Sequence, residues 1–185
     1  MKGFVIGFFV AVLVLVGGVG FYLVSGRAPL AATDPPLPFE MSLAQFALNA
    51  HIERQPAKES PLPADEANLV GGTRVYREQC AGCHGLPGQS QPTLGARMNP
   101  PAPDLFKGKG VTDDSVFESY WKVSNGIRLT GMPAFSTRLT DIEIWQVSQL
   151  VAHADQIPDS VRKVLTPGLP SAVQVPGAAS TGASK

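Results

Sequence analysis

The sequence predicts an all-α fold, with one helical domain preceded by a single N-terminal transmembrane helix. The first observation behind this prediction is an apolar stretch of 21 residues, Phe4 to Val24. The second is helical spacing of apolar residues in the one segment able to build a core, which shows little strand signal. The third is the abundance of Gly and Pro, 19 and 17 of 185 residues, which indicates many loops and linkers.

Composition divides the chain into four parts. We expect a transmembrane anchor or uncleaved signal over residues 1–26, a Pro-rich spacer with a short helix over 27–64, a core-forming domain over 65–160 and a disordered tail over 161–185. Basic and acidic residues number 15 each, which excludes a nucleic-acid binder that works through bulk positive charge. The 44% of apolar residues excludes disorder of the whole chain.

The apolar stretch Phe4 to Val24 is the predicted anchor. As a helix it would span about 31 Å, which matches the hydrocarbon core of a bilayer. A cleaved signal peptide is the alternative, but its apolar region usually runs only about 7–15 residues. Lys2 and Arg27 lie one on each side of the stretch, so the flanking charges do not orient it.

The remaining helices follow from apolar spacing and capping signals. A spacer helix is expected from Ser42 to about Gln55, packed on the following domain, with the membrane surface or a partner as alternatives. In the core segment a helix is expected over Glu66 to Gln79. A second helix is expected from a cap at Thr112 to about Ser124, with Asn125 and Gly126 as its stop. The capping box Thr140 to Glu143 opens a last helix, which Pro158 closes.

The pentapeptide Cys80-Ala-Gly-Cys83-His84 contains both cysteines of the chain. The pattern C-x-x-C-H is the attachment signature of c-type haem. Each thiol can add to one vinyl group, and the adjacent imidazole can bind the iron. We therefore predict one covalently bound haem c, with Cys80, Cys83 and His84 as cofactor-binding residues and His84 as an iron ligand.

Three other interpretations of this motif are weaker. A thioredoxin-like redox pair would need βαβ patterning around it, which the sequence does not show. A zinc site would need four ligands, and His51 and His153 stand at no finger-like spacing. A local disulfide is compatible with an exported protein, but it does not account for the histidine directly after Cys83.

The ligand on the other face of the iron decides between an electron carrier and an open site. Met132 is the predicted ligand because Gly131 allows close backbone approach and Pro133 restricts its conformation. Met98 is the reserve candidate. His153 is expected to be a surface residue at a helix end.

Several motifs in order resemble those of class I c-type cytochromes. The resemblance is closest to single-haem bacterial domains found as membrane-bound oxidase and dehydrogenase subunits, and it covers about Asn68 to Ala154. It rests on C-A-G-C-H-G at Cys80 to Gly85, P-P-A-P-D-L at Pro100 to Leu105, N-G-I at Asn125 to Ile127, G-M-P-A-F at Gly131 to Phe135 and L-T-D-I-E-I-W at Leu139 to Trp145.

The resemblance implies a class I cytochrome c fold around one covalently attached haem. It implies thioethers at Cys80 and Cys83, axial ligation by His84 and Met132, and haem loading on the outer side of the membrane. It also implies that Gly72 and Tyr76 cross the last helix near Trp145. The expected pocket walls are Pro100, Pro101, Leu105, Ile127, Leu129 and Phe135, and Arg97 or Arg128 is a candidate partner for a haem propionate.

These features predict electron transfer rather than enzymatic turnover. The protein would be a tethered carrier or a subunit of a respiratory or dehydrogenase complex. It would sit in the cytoplasmic membrane with a single pass and the haem domain outside, in the periplasm. Its partners would be redox proteins such as a membrane oxidase or dehydrogenase, with no nucleic acid and no small-molecule substrate. The alternative is an open-site haem protein that binds a small gas or acts as a peroxidase.

Overall fold

The computed structural model describes residues 2–107 and 113–167, and within these ranges it is helical with no strand. The eight α-helices of these ranges are α1 (Lys2–Val24), α2 (Glu40–Glu53), α3 (Glu66–Val75), α4 (Ala81–His84), α5 (Thr93–Ala96), α6 (Val116–Asn125), α7 (Asp141–Ala152) and α8 (Asp159–Leu165), and a π-helical segment (Tyr76–Cys80) joins α3 to α4. The expected all-α architecture with one N-terminal apolar helix is confirmed.

The chain divides into two compact units, Met1–Leu48 and Asn49–Lys185. The first unit contains α1, whose 23 residues are long and apolar enough to cross a membrane. Each residue of α1 is exposed, as expected of a helix whose solvent is lipid. The predicted anchor therefore has the length and the surface that a membrane span requires.

Helix α2 begins two residues earlier than expected, at Glu40, so Ser42 lies inside the helix and is not its cap. Its apolar side chains Leu43 and Phe46 are exposed, whereas Ile52 in the last turn is buried. In the same turn the ring of His51 meets the ring of Trp121 edge to face at 5.3 Å. The last turn of α2 therefore belongs to the second unit, and packing of the rest of the helix stays a prediction.

The core of the second unit forms where α3 crosses α7. A Cβ added at Gly72 would collide with the backbone carbonyl of Gln146 and come within 3.1 Å of the Leu150 Cβ. Glycine at this position therefore permits close packing of the two helices. The implied crossing is confirmed for Gly72, which lies against Gln146, the residue after Trp145, and the crossing by Tyr76 stays a prediction. Helix α6 packs on the other side of α7, where the rings of Tyr120 and Trp145 stack at 4.0 Å.

Helix α6 has a different cap from the expected one. Ser115 precedes the helix, and its Oγ accepts a hydrogen bond from the Glu118 backbone N–H at 3.1 Å. Thr112 lies outside the described residues. The expected stop is confirmed, because Gly126 ends the helix with a φ of +67°, a conformation that favours glycine.

Helix α7 opens with the expected capping box. The Thr140 Oγ1 accepts from the Glu143 backbone N–H, and a Glu143 carboxylate oxygen accepts from the Thr140 backbone N–H. The helix ends at Ala152, so Pro158 does not close it. Pro158 instead is the residue immediately before α8, where its missing backbone N–H costs the helix no hydrogen bond.

Helix α8 corrects the expected end of the domain. It runs through the boundary expected at residue 160, and its side chains Val161 and Leu165 have no solvent exposure. Residues 161–167 are therefore part of the folded domain rather than of the expected disordered tail over 161–185. The remainder of that tail, residues 168–185, lies outside the described residues.

Candidate haem site

The residues of the pentapeptide lie within about one helical turn. Cys80 is the last residue of the π-helical segment, and Cys83 and His84 belong to α4. The backbone N–H of Ala81 donates to the Tyr76 carbonyl, five residues earlier. Both cysteines are free thiols and are half-buried. Burial, and the second cysteine nearby, raise the pKa of the Cys80 thiol to about 12, so the neutral thiol is the stable form at neutral pH.

Tyr76 holds the two ends of this turn together. Its side chain is fully buried, and its hydroxyl donates to the Gly85 carbonyl at 2.9 Å. Its ring meets the ring of Phe106 edge to face at 5.0 Å. Burial raises the pKa of Tyr76, with smaller contributions from Cys80 and Asp104. The hydroxyl therefore stays protonated and remains a donor.

His84 is oriented by a backbone carbonyl. Its Nδ1 lies 2.8 Å from the carbonyl oxygen of Pro103. A carbonyl only accepts, so Nδ1 carries the proton and donates it, and the lone pair is on Nε2. Burial lowers the pKa of His84, which favours the neutral imidazole that a metal requires. The ring is therefore held in the tautomer of a metal ligand.

Pro103 belongs to a segment that we call the His84 loop, residues 91–103. Gly95 in α5 lies against the Cys83 carbonyl so closely that a Cβ would collide with it. The Gly95 carbonyl accepts from the backbone N–H groups of Met98 and Ala102, at 3.3 and 3.0 Å. The side-chain amide of Gln91 donates to the Ala102 carbonyl. These bonds brace the loop internally. The close approach of Gly95 to Cys83 and the bond from His84 to Pro103 hold the loop against residues 80–84, which we call the cysteine turn.

Met132 lies in a second segment, the Met132 loop, residues 126–135. The Ile127 backbone N–H donates to the Met132 carbonyl at 3.2 Å, and the Met132 backbone N–H donates to the Thr130 Oγ1 at 3.1 Å. The Phe135 backbone N–H donates to the Val123 carbonyl of α6 at 3.0 Å. The Met132 side chain is half-buried and packs against the apolar core.

The two loops meet at Met98 and Gly131. The atom nearest to a Cβ added at Gly131 is the Met98 Sδ, at 2.5 Å, followed by Cε at 3.0 Å and Cγ at 3.2 Å. The structure thus brings the loop that orients His84 next to the loop that carries Met132. This contact was missed in the sequence, because it joins residues 33 positions apart in two segments without regular periodicity.

Comparison with known families decides what kind of domain this is. Residues 67–151 match the family model of cytochrome c oxidase, cbb3-type, subunit III. These residues form a c-type cytochrome domain. Such a domain transfers electrons by means of haem c, and the predicted class of protein is therefore confirmed.

No curated protein matches the sequence of this cytochrome. Among solved structures, a chain of the reducing HAO-like protein complex of Kuenenia stuttgartiensis is similar, with 24% sequence identity and a TM-score of 0.45. The similar region covers 57% of this chain and 54% of that chain. The match therefore spans little more than half the length of that chain.

The residues of the site fit haem c. Two free thiols with two residues between them are the donors that form thioethers, and the adjacent imidazole presents Nε2. Soft sulfur and imidazole donors suit iron in a porphyrin. Cys80, Cys83 and His84 would hold the group on one side, and Met132 lies in the neighbouring loop.

The other predicted residues have varied environments. Among the expected pocket walls, Phe135 is buried, Pro100, Leu105 and Ile127 are half-buried, and Pro101 and Leu129 are exposed. Arg97 and Arg128 are both exposed, and their pairing with a propionate stays a prediction. His153 caps the end of α7, and its Nδ1 donates to the Gln149 carbonyl at 2.8 Å, consistent with a helix-end residue.

Proposed function

We propose that this protein is a membrane-tethered cytochrome c with a single covalently bound haem. Cys80 and Cys83 would hold the haem through thioethers, and His84 and Met132 would ligate its iron. It passes electrons as a tethered carrier or as a subunit of a respiratory or dehydrogenase complex. The haem domain faces the outer side of the cytoplasmic membrane.

The hydrogen bond from His84 Nδ1 to the Pro103 carbonyl carries the proposal. A second partner on the ring fixes both tautomer and rotation of a metal-binding histidine, and raises its strength as a donor. The ring of Pro103 restricts its own φ, and its carbonyl oxygen can only accept a hydrogen bond. His153 makes a similar bond from its Nδ1 to the Gln149 carbonyl at 2.8 Å, so what distinguishes His84 is this bond together with its position directly after Cys83.

The environment of Met132 supports thioether ligation. Its loop is tied to α6 by the bond from Phe135 to Val123, and its own backbone is bonded within the loop. Haem supplies a one-electron Fe(III)/Fe(II) couple when bound, and a thioether favours the reduced state. With His84 and Met132 both holding the iron, the group would supply electron transfer without binding a substrate.

The anchor supports a role beside membrane-bound partners. Helix α1 has the length of a bilayer span, and residues 25–65 separate it from α3. This stretch contains seven prolines, which stiffen a linker and extend its reach. A tether of this kind raises the effective concentration of the haem domain for partners in the same membrane. Haem c attachment, as in the family, takes place on the outer side.

The ligand set is tested by optical spectroscopy of the purified holoprotein. The proposal predicts a low-spin ferric spectrum with the weak charge-transfer band from methionine sulfur to ferric iron, and no rapid CO binding after reduction. Met132→Ala should abolish the band and lower the potential, whereas the matched substitution Met98→Ala should keep the band. A high-spin wild-type spectrum, or a band that survives Met132→Ala, would show that Met132 is not the ligand.

A further inference from the structure

We propose that Met98 is a positioning residue that holds the Met132 loop against the His84 loop and so keeps Met132 in place. This inference rests on the proposed ligation by Met132. It assigns to Met98 a role different from that of reserve ligand. In this role the side chain acts by its volume and contact, and its sulfur does not bind iron.

The packing of Met98 supports this role. The side chain is half-buried, yet it is not among the apolar side chains that pack against the core in residues 2–107 and 113–167. Three of its atoms, Cγ, Sδ and Cε, instead lie along Gly131, the residue directly before Met132. Met98 therefore fills the space between the two loops rather than a gap in the core.

The His84 loop is secured at Met98 itself, whereas the Met132 loop is secured to α6 only at its two ends. The backbone of Met98 is bonded to Gly95, which lies against Cys83. In the Met132 loop, bonds to α6 secure the ends at Gly126 and at Phe135. The tip between these ends is open, with Leu129 at 91% exposure and a φ of +61°.

The contact of Met98 with Gly131 thus links a secured segment to the open tip. Local opening takes place where a segment has few buried contacts. Residues 128–131 at this tip form such a segment, since Arg128, Leu129 and Gly131 are exposed. Release of Met132 from iron requires the tip to move away, and each contact that holds the tip closed makes this opening rarer.

The lack of a side chain at Gly131 leaves room for its contact with Met98. No left-handed φ applies to Gly131, so its backbone would accept alanine without strain. An added methyl group would come within 2.5 Å of the Met98 Sδ, and the flexible end of Met98 would have to move. Gly131→Ala should therefore loosen the same contact from the opposite side.

The test is the binding of imidazole to the ferric full-length holoprotein, because imidazole replaces Met132 only when the tip opens. Met98→Ala should increase imidazole affinity about fivefold to tenfold, the scale expected for loss of one local contact. Its resting spectrum should keep the methionine–iron band.

Two control variants accompany this test. Met98→Leu, which preserves the volume without a sulfur, should restore near-wild-type affinity. The control Met41→Ala removes an exposed methionine of the first unit and should have no effect.

A double-mutant cycle tests the contact itself. Gly131→Ala should raise imidazole affinity in the wild-type background and have a smaller effect in the Met98→Ala background, because the methyl group then has room. Equal effects in both backgrounds, or an unchanged affinity in Met98→Ala, would overturn the proposed contact. If Met98→Leu loses the methionine–iron band, Met98 is itself the ligand and the positioning role is wrong.

The wild-type spectrum separates failure of this inference from failure of the proposed function. If the wild-type protein shows the methionine–iron band and Met132→Ala abolishes it, ligation stands, and an unchanged imidazole affinity in Met98→Ala refutes the role of Met98 alone. If the wild-type protein lacks the band, both proposals fail.

Discussion

Single residues set the geometry of the cysteine turn, and Tyr76 is the clearest case. Its buried hydroxyl bonds the Gly85 carbonyl, on the far side of Cys80, Cys83 and His84. A buried carbonyl that loses its partner costs more free energy than the bond itself contributes. Tyr76 therefore stabilises the turn through a group that never needs to contact the cofactor.

We expect Tyr76→Phe to lower the free energy of unfolding of the holoprotein by about 1–3 kcal/mol, the cost of an unsatisfied buried polar group. Urea denaturation followed by far-UV circular dichroism measures this change. Tyr120→Phe is the matched control, because its hydroxyl bonds the exposed carboxylate of Asp141, which water can solvate after the change. Equal losses in the two variants would contradict the special role of Tyr76.

At the scale of elements, the capping box of α7 has a pH dependence of definite sign. Two hydrogen bonds from Thr140, first from its backbone and then from its side chain, lower the pKa of Glu143. Because the pKa in the folded state is below that in the unfolded state, the ionised carboxylate stabilises the fold above the unfolded value, near 4.5. This stability is lost as the pH falls through the folded pKa.

We expect Glu143→Gln to destabilise the domain at pH 7 and to have a smaller effect at pH 3, because the carboxylate loses its charge as the pH falls through its folded pKa. Thr140→Ala should cost about 1 kcal/mol at pH 7, the usual contribution of an N-cap. Urea denaturation at the two pH values measures both effects. A Glu143→Gln effect that grows toward pH 3 would contradict a lowered pKa of Glu143 in the folded state.

Helix α8 gives a second prediction at this scale. Val161 and Leu165 are fully buried, and α8 packs against α3. Leu165→Ala should therefore lower the free energy of unfolding by about 2–5 kcal/mol, whereas Lys163→Ala on the exposed side should change it by less than about 0.5 kcal/mol. Thermal or urea denaturation measures the difference. Equal, small effects would show that residues 161–167 do not belong to the folded domain.

The elements that the sequence predicted well are those defined by local signals. The capping box of α7, the Gly126 stop and the attachment motif each lie within a few consecutive residues. Helix α8 was missed because its seven residues show only a short apolar pattern, and Pro158 was interpreted as the end of one helix rather than the start of another. The cap of α6 was misplaced for a related reason, since Thr112 and Ser115 are both suitable caps.

Within the candidate site, too, the residues predicted from the sequence are those that a local motif defines. The cysteines and His84 are local, and the role of Met132 stays a prediction from its loop. The contact of Met98 with Gly131 depends on how two irregular loops pack against each other, and no local sequence pattern predicts this packing. The same is true of the Pro103 carbonyl, because a backbone acceptor is not visible in a side-chain motif.

At the scale of the whole molecule, the proposed membrane anchor and the proposed haem site lie in different units of the chain. The site residues lie in Asn49–Lys185, and α1 lies in Met1–Leu48. The predicted ligands, the two loops and the core helices are all in the second unit. Loss of the anchor should therefore change where the domain is and how often it meets its partners, but not its ligation.

We expect a variant in which residues 2–26 are replaced by a cleavable secretion signal to leave the membrane fraction and to keep the optical spectrum and reduction potential of the full-length protein. Full-length protein should stay with the membranes after alkaline carbonate extraction, which removes peripheral proteins. The rate of haem oxidation by washed membranes should be lower for the untethered variant at equal total concentration, because the tether supplies the effective concentration. Wild-type protein recovered in the soluble fraction with its N-terminus after residue 26 would show instead that the apolar stretch is a cleaved signal.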